Sequence, residues 1–122
     1  MSVPETYSYP RYLRAKEPVD DRALNQRVET SFLDRLASQP PSPVRILEVG
    51  AGVGATAKRV VEGLSDRNVG ALSYSLVDVT PENLDAARTE LPEWGRDQGF
   101  DVWGTKQRIV FSGGDLDVSF DL

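Results

Sequence analysis

The chain has 122 residues, 39% of them hydrophobic, and a formal net charge of -5 with a pI near 4.7. That size fits one domain, and the acidic balance repels phosphate backbones, so no nucleic-acid partner is expected. The sequence contains no cysteine and no histidine, which excludes disulfides, thiolate chemistry and the commonest general base and zinc ligand. No apolar run approaches the roughly 20 residues of a membrane span, and the N-terminus lacks the basic and apolar regions of a signal peptide. A cytoplasmic location without a membrane partner is the expectation.

Residues 1–18 carry Pro4, Pro10 and Pro18 with Tyr7, Tyr9 and Tyr12 between them, a spacing that predicts an extended arm. Its Tyr7, Tyr9, Arg11, Tyr12, Arg14 and Lys16 either fold over a ligand as a lid or pack as a tail, and the tail is favoured. Residues 19–122 are expected to form the folded domain. Asp20 or Asp21 can cap a helix whose apolar positions Leu24, Val28, Phe32, Leu33 and Leu36 share a face that should pack on a sheet. The run S-Q-P-P-S-P, residues 38–43, ends it, and Val44–Val49 follows as a strand.

Beyond that strand, Gly50, Gly52 and Gly54 alternate with Ala51 and Val53. The stripe Val53, Ala57, Val60, Val61 and Leu64 then predicts a helix. A strand running into a side-chain-free turn and a helix N-terminus brings backbone N–H groups to the carboxyl end of a parallel strand, where nucleotides bind. A second strand over Ala71–Val79 leads into Thr80, Pro81 and Glu82 as N-cap, first-turn proline and dipole-matched acid. The helix they open buries Leu84, Ala87 and Leu91 and is expected to stop at Pro92. The span Trp94–Gly104 is expected to be loop, with Trp94 and Trp103 in core or interface. Ile109–Phe111 and Asp117–Leu122, separated by Gly113, Gly114 and Asp115, predict a hairpin. The order β-α-β-α with short connections makes the fold α/β, a Rossmann-like parallel sheet of about three strands plus the hairpin strand.

The glycine spacing loosely satisfies a dinucleotide fingerprint, G-x-G-x-x-A, through Gly50, Gly52 and Ala55. Glu48, two residues before the first glycine, and the early third glycine favour another ligand. E-x-G-x-G-x-G resembles motif I of class I S-adenosylmethionine-dependent methyltransferases. An acid beside the loop complements the ammonium and sulfonium of S-adenosyl-L-methionine and repels a pyrophosphate. The resemblance implies a cofactor site built from Glu48, Gly50, Ala51, Gly52, Gly54, Asp78 and Val79. Asp78 would accept from both ribose hydroxyls and Val79 would line the adenine. G-G-D-L resembles the family's third-strand acid and would make Asp115 and Leu116 adenine neighbours. If Asp117–Leu122 is instead the returning arm of a hairpin, that acid would lie beyond Leu122.

The resemblance covers Val44 to Leu91 and departs from the family in lacking the second half of its sheet. The expectation is therefore the cofactor-binding portion of a methyltransferase, acceptor unnamed, with no catalytic residue and no metal ligands. Two alternatives stand beside it: the NAD(P)-binding half of a dehydrogenase, and a non-catalytic module. An open sheet edge is expected to make the chain a homo-oligomer by edge pairing or strand exchange.

Overall fold

The computed structural model describes residues 10–13, 15–16, 26–38 and 43–122. Among the described residues, helices α1 (Gln26–Ala37), α2 (Ala55–Ser65) and α3 (Pro81–Asp97) accompany five strands, and residues 10–13 and 15–16 are also helical. The strands are β1 (Val44–Val49), β2 (Ala71–Val77), β3 (Asp101–Gly104), β4 (Arg108–Ser112) and β5 (Asp117–Asp121). They form one sheet in the order β1-β2-β5-β4-β3. The pairs β1–β2 and β2–β5 are parallel, whereas β5–β4 and β4–β3 are antiparallel. This is the expected α/β, Rossmann-like arrangement with an antiparallel hairpin added at its side.

Burial alternates along every long strand. Val44, Leu72, Tyr74, Leu76, Ile109, Phe111, Val118 and Phe120 point into the core with Ala57, Val60, Val61 and Leu64 of α2 and Ala87 and Leu91 of α3. The opposite face carries Arg45, Leu47 and Val49 of β1 beside Ser73, Ser75 and Val77 of β2. Leu47 and Val49 there are 67% and 75% exposed. The helices are thus gathered on one side, as right-handed crossovers advancing in a single direction require.

Several expectations are corrected. Residues 10–13 and 15–16 are helical, not extended; the φ that a proline fixes lies in the helical range as well. The rest of the arm, with Tyr7, Tyr9 and Arg14, and the caps Asp20 and Asp21 lie outside the described residues. Helix α1 buries Leu33 and leaves Val28 and Phe32 exposed. It docks on α2, where a side chain at Gly63 would sit 2.3 Å from Leu33 Cδ1.

Pro92 does not stop α3, which continues to Asp97. A mid-helix proline forfeits one backbone hydrogen bond. Burial of Leu91 before it and Gly95 after it holds the two turns in line. A Cβ at Gly95 would lie 2.5 Å from Phe111 Cζ, so only glycine lets helix and sheet approach this closely. Most of the expected loop Trp94–Gly104 is the end of α3 and strand β3. Four residues are too few for alternation to show, and β3 exists by pairing with β4.

Candidate functional site

The carboxyl ends of β1 and β2 open onto a crevice of about 410 Å³ lined by Glu48, Gly50, Ala51, Gly52, Asp78 and Val79. All three loop glycines have positive φ, 72° at Gly50, 61° at Gly52 and 98° at Gly54, conformations that side chains with a Cβ resist. Gly54 does not line the crevice. It caps α2 from behind, and a Cβ there would meet Leu91 at 3.1 Å. Gly50 N–H and Ala51 N–H donate to the Val77 carbonyl at 2.8 and 3.0 Å, tying the loop to the end of β2.

Asp78 completes that tie. Its Oδ2 accepts from Gly52 N–H at 2.8 Å, and its Oδ1 accepts from Thr80 N–H at 2.8 Å and Asn83 Nδ2 at 3.3 Å. Burial pulls the Asp78 carboxyl upward, but the N–H groups of Thr80 and Gly52 and the Asn83 amide outweigh it, so its pKa lies below the ordinary 3.8. Thr80 occupies the N-cap position of α3 without a side-chain cap bond; its hydroxyl bears on Asp78 instead.

Glu48 faces the core side of β1 and lies under the first turn of α2. Tyr74 Oη donates to Glu48 Oε1 at 2.7 Å. Desolvation raises the Glu48 pKa above 4.5, opposed by the Tyr74 and Thr56 hydroxyls and the Arg59 charge, while Asp78 adds to the rise. The Tyr74 phenol is pushed far above its usual range by burial, and then by its bond to Glu48 and that group's charge.

Asp115 and Leu116 are not brought to the crevice. Asp117 pairs with Ala71, the first residue of β2, so the residues preceding it lie at the amino edge of the parallel strands, across the sheet from the glycines. They border a separate cavity of about 480 Å³ with Trp94, Phe100 and Glu62. The physical reason is that Asp117–Asp121 is both the returning arm of the β4–β5 hairpin and the third parallel strand. Its carboxyl end, at Asp121, is the end on the crevice side.

Sequence reading did not select Thr56, Arg59 and Leu13, which line the crevice, nor Tyr74 and Asn83, which are buried and bonded to its two carboxylates. Tyr74 lies on β2 opposite Ile46, one alternation before Glu48, a relation visible only once register is known. Asn83 carried a signal, a polar residue at a position of α3 that turns inward. Leu13 belongs to the helical turn near the N-terminus, and a Cβ on Gly52 would come within 3.1 Å of its Cδ1.

Among the described residues, no helix is long and apolar enough to cross a membrane. No family model matches the chain, and no solved structure matches it significantly. Curated relatives do. A 3-methylorcinaldehyde synthase from Phoma sp is 38% identical over 90 residues, covering 65% of this chain and 3% of the relative. The non-reducing polyketide synthase pigA from Monascus ruber is 39% identical over 66 residues, 52% of this chain and 2% of its own length. The methyltransferase calH from Penicillium decumbens is 47% identical over 49 residues, 38% of this chain and 13% of that protein. The chain therefore spans a small fraction of each relative, and it is similar in part to fungal polyketide synthases and to a methyltransferase.

Proposed function

We propose that the crevice binds S-adenosyl-L-methionine and that the chain is the cofactor-binding portion of a methyltransferase. The observation that carries this reading is the pair of carboxylates, Glu48 and Asp78, at a glycine loop whose Gly52 N–H is already taken by Asp78. A pyrophosphate would meet two negative groups and find that donor spent. A sulfonium and an ammonium find complementary charge. The partial identity to a methyltransferase supports the reading, as does the methylated product in the name of the Phoma relative.

Methyl transfer from a sulfonium needs no enzyme nucleophile, so a site without histidine or cysteine suits it. The chain's own contribution is to hold the cofactor and exclude water around it. Calorimetry with S-adenosylhomocysteine and with NAD tests the proposal. Binding of the first and not the second is expected, with Asp78→Ala weakening it by about tenfold or more; NAD binding alone would overturn it.

A second reading, self-association through β1, is favoured by a specific feature. Among the described residues that strand pairs on one side only, and it exposes Leu47 and Val49. Size-exclusion chromatography with light scattering separates dimer from monomer, and a monomer at all concentrations would overturn it.

A further inference from the structure

Strand β3 is the far edge of the sheet, and among the described residues no strand pairs with its outer side. Thr105 N–H donates to the Arg108 carbonyl at 2.8 Å. Bonded and non-bonded pairs alternate along an antiparallel ladder, so in the β3–β4 register Trp103 bonds Val110 and Asp101 bonds Ser112. Val102 and Gly104 fall on the non-bonded pairs, opposite Phe111 and Ile109. Their N–H and C=O groups therefore turn outward from the sheet.

These groups open onto a cleft of about 610 Å³ between β3 and α3. Arg88, Pro92 and Arg96 line its helical wall at successive turns, and Lys106 stands at the end beyond Gly104. Arg88 is fixed there by donation from Nε to the Lys106 carbonyl at 2.7 Å and from Nη1 to Asp85 at 2.8 Å, which offsets part of its charge. Arg96 and Lys106 pair with no carboxylate among the described residues. In a chain of net charge -5, cations gathered along one cleft mark it for an anionic occupant.

Their spacing says which kind. Arg88 and Arg96 are rooted two helical turns apart, about 12 Å, so the charge is spread along the cleft instead of focused on a point. On an extended chain, residues i and i+4 share a face and lie about 13 Å apart. The residue midway between them on that face would meet Pro92, Val102 and Ile109. A strand laid against β3 thus offers carboxylates to the two arginines, an apolar side chain to the middle of the cleft, and its main chain to Val102 and Gly104. A second copy of this chain fits badly, because joining two β3 edges would set like-charged rows of α3 against each other.

We propose that the β3 edge docks an extended acidic segment of a partner protein, of pattern acid-x-apolar-x-acid, by strand addition. The Val102 and Gly104 peptide groups supply the main-chain bonds. Arg88 and Arg96 select the sequence, and Lys106 adds attraction at the Arg88 end. The proposal is independent of the cofactor reading, since this cleft and the glycine-loop crevice have no lining residue in common.

The probe is the end-blocked peptide Thr-Thr-Glu-Thr-Val-Thr-Glu-Thr-Thr, titrated into the whole chain by calorimetry with amide exchange followed at Val102 and Gly104. Binding is expected, with exchange at those two amides slowed by about tenfold or more. Moving the second glutamate one residue toward the first, at constant composition, puts it on the opposite face and should weaken binding by about tenfold. Lysine in place of both glutamates should abolish it. Arg96→Glu and Lys106→Glu, both at exposed positions, should each weaken the probe by about threefold or more without shifting the thermal midpoint.

Equal binding of the probe and its shifted version would overturn the proposal, because charge alone would then account for the attraction. So would unchanged exchange at Val102 and Gly104 in the bound state, or no binding at about millimolar peptide. An oligothymidylate that binds more tightly than the probe would overturn it in favour of a nucleic acid.

Discussion

Around Phe111 the molecule is closely packed. Its ring lies 5.0 Å from Phe120, 5.3 Å from Phe100 and 6.2 Å from Trp94, and α3 presses on it where Gly95 removes the last obstacle. Around the glycine loop the materials are reversed: three positive-φ glycines, two carboxylates, and an asparagine oxygen without a partner. The first region packs ring against ring and contributes stability. The second gives up stability to keep a charged crevice in shape, a division seen wherever a site opposes the preferences of its own fold.

That contrast can be broken at either end. The largest effect is expected from Phe111→Ala, which empties the aromatic cluster and should cost about 3–5 kcal/mol in chemical denaturation. Ligand affinity per folded molecule should not change. Gly95→Val, driving a side chain into the same ring, should cost about 1–3 kcal/mol, again without touching the crevice.

Glu48→Gln should go the other way. The Glu48 pKa is raised on folding, so the folded state binds its proton more tightly than the unfolded chain. The stability it contributes is present below the ordinary 4.5 and is lost as pH rises through the higher folded value. Near neutral pH the carboxylate therefore opposes folding. Removing it should raise the midpoint by less than about 1 kcal/mol, given the solvent that reaches the crevice, while binding of a cationic ligand weakens. A fall in the midpoint would contradict this account.

Asp78 has the opposite sign. Its stabilisation is present above 3.8 and is lost as pH falls through its lower folded value. The smallest effect belongs to Arg108→Ala. Arg108 pairs with Asp121 at 2.9 Å on an exposed strand surface, and its loss should leave the denaturation midpoint unchanged within error.

The glycine loop was legible in the sequence because its requirement is local: positive φ at alternate positions permits little else. The strands before and after it were legible for the same reason, as short apolar runs bounded by turn residues. The parts that sequence concealed depend on partners distant in the chain. Pro92 reads as a helix stop until Leu91 and Gly95 are seen holding the helix to the sheet. Asp115 reads as a ligand acid until the pairing of Asp117 with Ala71 puts it at the opposite edge. Tyr74 reads as core, and it is core at its ring, but its hydroxyl belongs to Glu48, and only the β1–β2 register brings the two together.

That last bond gives the crevice an internal chromophore. Tyr74 donates to the carboxylate of Glu48. Its ring also lies 5.8 Å from Phe120, within the aromatic cluster. Held in its neutral form by its surroundings, it should retain its proton in alkali until the fold opens. Its ultraviolet difference spectrum then becomes a clock for unfolding at high pH and a gauge of charge at Glu48 at low pH, with no label attached.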